Sequence, residues 1–250
     1  MTVKSLSLYF QKVTENMSTK LKAVIFDVDD TLFDRDRAQR EILRAMVREH
    51  PQIFQGIDEE VAAKAFLESD RITFEEFKTA NPAEISRLKR SKTFLNMLGL
   101  SEEHSDKITD MYVNAYPLIN VPVAGAVPLV TELSRKFSLA VASNGLPDVQ
   151  YKKLETLGIK HFFGCIILSG ELGIGKPDPR IFWEAASILG HKPKECLYVG
   201  DAYEADVIGA NRARMKSCWF NPHRLQPPQT DVRPDFEIGS LDEIHRIMGI

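Results

Sequence analysis

The chain has 250 residues, 44% of them hydrophobic, and sets 32 Lys plus Arg against 35 Asp plus Glu for a formal net charge of -3. That apolar content supplies the core of one large domain or two modest ones, while the near-balance of charge provides no long-range field to draw in nucleic acid or an anionic membrane. No apolar run is long enough to span a bilayer, so the expected partner is a small molecule held by a local site.

In chain order, residues 1–20 are expected to be a loosely held N-terminal extension, in which Met17 would serve as well as Met1 for a start. The apolar stretch at 6–10 is too short for a secretory leader. The run at 21–28 contains Ala23, Val24, Ile25 and Phe26 and ends in acidic residues, the pattern of a parallel strand buried on both faces.

About a hundred residues follow before the next such run, at 139–143, where a strand-to-helix connection normally needs only a handful. The interval is helical in pattern. Ile42, Leu43, Met46 and Val47 share one face, as do Val61, Ala62, Ala65 and Phe66, and then Ile108, Met111, Tyr112, Ala115 and Tyr116. Pro51, Pro82 and Gly99 punctuate these stretches.

Further strand-like runs lie at 165–168, 196–200 and 217–220, with helical patterns at 147–157, 179–189 and 204–212 between runs. A last strand and helix are expected at 234–238 and 241–248, beyond a Pro-rich loop at Pro227 and Pro228. Alternating strands and helices predict an α/β fold with a Rossmann-like parallel sheet core flanked by helices. The domain reading is an extension at 1–20, a core at 21–35 and 119–250, and a small all-helical unit at 36–118 inserted after the first strand, on linkers near 33–35 and 120–125.

Four segments fall at the C-terminal ends of predicted strands, the edge of an open α/β sheet at which ligands bind. They are Asp27-Val28-Asp29-Asp30-Thr31, Ser143-Asn144-Gly145, Gly175-Lys176-Pro177-Asp178, and Gly200-Asp201 through Asp206. Carboxylates of Asp27, Asp29 and Asp201, with Asp206 as a further candidate, would repel one another and call for a hard cation with oxygen ligands, of which Mg2+ is the natural choice. Lys176 is placed to balance a substrate phosphate, and Ser143 with the backbone N–H groups of Asn144 and Gly145 could cradle phosphoryl oxygens where a helix begins. Asp27, rigid at its strand end, suits a nucleophile; Asp29, crowded by other carboxylates, suits the acid/base that protonates a leaving oxygen and then activates water.

These segments, in this order and with a helical insertion after the first, resemble the haloacid dehalogenase-like hydrolase superfamily over roughly 21–250. The resemblance implies a phosphatase in which the D-x-D-x-T segment supplies the nucleophile Asp27, the acid/base Asp29 and Thr31 as a phosphate-binding residue, Ser143 binds phosphate, and Lys176 is the lysine of K-P. It further implies magnesium held by Asp27, the backbone carbonyl of Asp29, and Asp201, with Asp206 as their supporting partner. The helical insertion would then be a cap that sets specificity for small phosphorylated metabolites such as sugar phosphates, phosphoglycolate or nucleoside monophosphates. One departure stands out: near the end of the helix after Asp206 the family often has Gly, and here the run is Asn211-Arg212-Ala213-Arg214.

Competing readings fit less well. An EF-hand loop starting at Asp27 would need Gly where Leu32 stands and Glu where Ala38 stands. Gly170 through Lys176 spells most of a nucleotide-binding phosphate loop, but Pro177 has neither the hydroxyl nor the N–H that such a loop needs, and Asp178 as N-cap with Pro179 at the first helical position accounts for it better. A haloacid dehalogenase, a phosphomutase and a non-enzymatic phosphate or magnesium binder remain as alternative functions. Cys165, Cys196 and Cys218, scattered and mostly inside apolar runs, suit a reducing cytoplasm. Trp183 and Trp219 are expected to pack, and a monomer or a homodimer is equally compatible with the sequence.

Overall fold

The computed structural model describes residues 20–79 and 87–250. Pro82 and the extension at 1–19 lie outside the described residues. Six strands form one sheet in the order β3-β2-β1-β4-β5-β6, and every neighbouring pair is parallel. They are β1 (Ala23–Phe26), β2 (Ser138–Ser143), β3 (Cys165–Leu168), β4 (Cys196–Gly200), β5 (Lys216–Phe220) and β6 (Phe236–Ile238). The Rossmann-like α/β core expected from the sequence is therefore present.

The strand β1 is fully buried because both of its faces are covered. Val24 and Phe26 join one apolar cluster, and Ala23 and Ile25 join another on the opposite face. Phe26 is level with Val141 of β2 and Val199 of β4, so the residues following all three strands emerge at one edge. Because the chain winds outward from β1 in both directions, that edge opens into a crevice.

Between β1 and β2 come α1 (Arg35–Glu49), α2 (Glu59–Thr79), α3 (Arg87–Met97), α4 (Ser105–Ala115) and α5 (Ala126–Leu133). Asp34 caps α1 by accepting from the Arg37 N–H at 2.9 Å. The inner faces of these helices meet through aromatic edges, as where Phe66 stands edge-on to Phe94 with centroids 5.0 Å apart. Val61, expected on the inner face of α2, is 53% exposed, whereas Ala62, Ala65 and Phe66 are buried; the apolar stripe is narrower than its sequence pattern. Two of these helices have no counterpart in the sequence analysis. The buried positions Arg90, Ser91, Phe94 and Leu95 of α3 include polar residues, and Pro128 interrupts the apolar pattern of α5.

After β2 run α6 (Pro147–Thr156), α7 (Pro179–Ile188) and the terminal α8 (Ile244–Met248). Asp178 caps α7, with its side chain accepting from the Arg180 N–H. The single helix expected at 204–212 is instead a π-helical segment, Tyr203–Ile208, that passes into one α turn at Gly209–Arg212. Such widened turns gather at functional sites, and this one carries Asp206. Trp219 packs in the core as expected, but Trp183 is 45% exposed, with its indole N–H donating to the Ala213 carbonyl.

Candidate active site

Asp27 follows β1 directly, and its backbone N–H donates to the Val199 carbonyl at 2.9 Å, which fixes the carboxylate at the mouth of the crevice. Lys176 comes from the loop before α7 and is buried beside it: its Nζ lies 2.7 Å from Asp27 Oδ1 and 2.7 Å from Asp206 Oδ1. The Tyr198 hydroxyl, 2.9 Å from the same Nζ, donates to the Ala142 carbonyl, so the ammonium has a fixed seat. Burial alone would lower the Lys176 pKa, but Asp206 and Asp27 outweigh it and hold the group firmly protonated. The Asn144 side chain grips the Lys176 backbone from both sides, accepting its N–H at 2.8 Å and donating to its carbonyl at 2.9 Å.

Asp27, Asp201 and Asp206 each bring one carboxylate oxygen to within 4.8 Å of the others. Burial and then the charges of Asp206 and Asp27 push the Asp201 pKa well up. Burial likewise raises Asp206 to about 6 against the pull of Lys176. Asp27 Oδ1 is buried, and its partner is the Lys176 ammonium. Three crowded carboxylates, each bringing one oxygen to the same point, are the donor set that a hard divalent cation accepts, so the residues present fit a magnesium ion. Trp219 steadies the cluster from below by donating its indole N–H to the Asp201 carbonyl at 2.8 Å.

Asp29 departs from expectation. Its carboxylate does not converge with the other three; it turns to the inner face of α6, where Lys153 Nζ lies 2.5 Å from Oδ1 and Gln150 Nε2 donates to Oδ2 at 2.8 Å. Burial would raise its pKa, yet Lys153 and Arg35 together lower it. Cations, not carboxylates, surround this group. Thr31 also differs: it is fully buried, and its hydroxyl donates to Asp201 Oδ1 at 3.2 Å instead of facing the cleft. It orients a carboxylate and is not placed to touch phosphate.

Ser143, Asn144 and Gly145 line the same cleft as Asp27, Asp29, Lys176 and Asp201, a space of about 990 Å³. The Gly145 N–H is engaged, donating to Ser169 Oγ at 3.1 Å, which narrows the cradle to the Ser143 hydroxyl and the Asn144 N–H. A second, shallower depression of about 550 Å³, lined by residues such as Tyr151, His161 and Phe163, holds none of these groups.

Several cleft residues escaped the sequence reading. Gln150, Lys153 and Leu154 are buried along one face of α6, and their i, i+3, i+4 spacing was visible, but nothing in it shows that the polar pair faces Asp29. Arg35, Asp70, Arg90, Tyr112 and Tyr116 line the cleft from the helices after β1; their wide separation in sequence gave no signal.

The model of the haloacid dehalogenase-like hydrolase family matches residues 21–214. The chain belongs to this family. Among relatives of this hydrolase, a glyceraldehyde 3-phosphate phosphatase of Methanopyrus kandleri is 33% identical over 233 residues, spanning 90% of this chain and 95% of that one. A phosphoserine phosphatase of Thermus thermophilus is 40% identical over 129 residues, 52% of this chain and 50% of its own. The magnesium-bound crystal structure of the HAD-hydrolase YfnB of Bacillus subtilis superposes with a TM-score of 0.79 at 25% identity, covering 93% of this chain and all of that one.

Proposed function

We propose that this hydrolase is a magnesium-dependent phosphatase that cleaves small phosphate monoesters through an aspartyl-phosphate on Asp27. The observation that carries the reading is the meeting of Asp27, Lys176, Asp201 and Asp206, from the ends of β1 and β4, the π-helical segment and the loop before α7, at one point. Asp27, Asp201 and Asp206 would hold the ion with the Asp29 backbone carbonyl, and the bound ion would offset the charge of the phosphoryl oxygens.

In the first step an Asp27 carboxylate oxygen bonds to phosphorus as the bond to the leaving oxygen breaks, and Asp29 gives that oxygen a proton. Lys176 offsets the charge on Asp27 and the transferred group, while Ser143 and Asn144 hold its oxygens. In the second step Asp29 takes a proton from water, which attacks phosphorus and frees inorganic phosphate and Asp27. The Lys153 and Gln150 contacts favour ionised Asp29, the form this second step uses; the negative charge of an arriving phosphate raises its proton affinity for the first.

We read residues 36–118 as a cap that closes over the leaving group, which makes the helices after β1 the source of specificity. Relatives named for glyceraldehyde 3-phosphate and phosphoserine support a small soluble metabolite as substrate. Free thiols at Cys165, Cys196 and Cys218 support a cytoplasmic setting.

The test is a panel of phosphate monoesters, with one haloacid as control, assayed with magnesium and with chelator on the natural chain and on Asp27→Asn. Phosphate release should need magnesium and vanish in Asp27→Asn while its melting transition survives. Normal turnover by a folded Asp27→Asn protein would exclude the covalent route.

A further inference from the structure

The wall of the cleft built by the helices after β1 carries a guanidinium that the chemistry on Asp27 does not use. Arg90 of α3 is only 5% exposed and lines the same cleft as Asp27 and Lys176. Its guanidinium carbon lies 3.8 Å from the Tyr112 ring centroid and 4.2 Å from that of Phe66. Its Nε is 3.0 Å from Asp70 Oδ1, but Asp70 also pairs with Arg35, so among the described residues Arg90 has only a share of one counter-charge. Among the described residues Nη2 of Arg90 makes no hydrogen bond, and the buried Tyr116 hydroxyl has no partner either. That hydroxyl lies one ring away, since Tyr112 and Tyr116 stack with centroids 4.6 Å apart.

A buried guanidinium with unmade hydrogen bonds is costly to keep. Held by two ring faces and one carboxylate, it is also already ordered, so a ligand that completes its bonds loses little by immobilising it. A neutral alcohol would satisfy donors but leave the charge; a carboxylate satisfies both and matches the planar fork. We infer that Arg90, assisted by the Tyr116 hydroxyl, determines specificity for the leaving group and selects phosphate monoesters that carry a carboxylate there. The inference rests on the phosphatase reading above and adds its substrate class.

The experiment compares 3-phosphoglycerate with glycerol 3-phosphate on the full chain with magnesium, using p-nitrophenyl phosphate as a general phosphatase probe. The natural protein should favour the carboxylate ester by about tenfold or more in kcat/KM. Arg90→Met should collapse that ratio, mainly through KM, and Arg90→Lys should keep part of it. A ratio near one in the natural protein, or an unchanged ratio in folded Arg90→Met, overturns the inference while phosphatase activity stands. Should Arg90→Met fail to fold, Tyr116→Phe decides with the natural protein: a lowered ratio supports the assignment and an unaltered one overturns it. No hydrolysis of any of the three esters removes the phosphatase reading and this inference with it.

Discussion

Arg214 holds a left-handed backbone, with φ at 59°, at the place where the family resemblance led us to look for glycine. A side chain with a Cβ pays about 1–2 kcal/mol there, whereas glycine adopts that region freely at the cost of more chain entropy on folding. Arg214→Gly should therefore stabilise the fold by about 1 kcal/mol in chemical denaturation; a loss of stability would show that its exposed side chain matters more than its backbone. Gly200 shows the opposite logic. A Cβ there would lie 2.2 Å from Asp206 Oδ2, so only glycine lets that carboxylate fold back, accept the Ala202 N–H at 2.9 Å and still reach Lys176.

At the scale of elements, His245 joins α8 to α5. One ring nitrogen donates to the Asp242 carbonyl at 2.8 Å and the other lies 3.0 Å from Glu132 Oε2. Those partners, the Asp242 carbonyl first and Glu132 next, raise its pKa above 6.5. A raised histidine pKa means the folded state binds the proton more tightly, so the contribution is complete below the unfolded pKa and disappears as pH climbs through the folded value. The melting-temperature gap between the natural protein and His245→Ala should thus be wider at pH 5.5 than at pH 8. A gap that does not change with pH would mean the ring acts only by packing.

Across the whole molecule, the sheet edge gathers more negative charge than it can hold alone. Asp201 and Asp206, the latter at about 6, have folded pKa values above those of free carboxylates, so the folded chain takes up protons that the unfolded chain releases. Stability without metal accordingly falls as pH rises from the ordinary carboxylate range through about 6. Magnesium requires the ionised oxygens and competes with those protons. The rise in melting temperature on adding saturating magnesium should therefore grow between pH 5 and pH 7.5, and a rise independent of pH would argue against ion binding at these carboxylates.

The sequence alone determined the sheet and the residues on its edge, because continuous apolar runs such as Ala23–Phe26 can be satisfied only between two covering layers, and acidic residues cannot follow them inward. The long interval between the first two strands also pointed to helices there, and the structure places α1 to α5 in it. What only the tertiary structure decided is where each polar group points. Thr31 turns to Asp201, Asp29 to Lys153, and the Gly145 N–H to Ser169, all across separations along the chain that local pattern cannot bridge. Arg90 lies deeper still: a charged residue in a helix reads as solvent-facing, and only the packing of Phe66 and Tyr112 around it makes it part of the cleft.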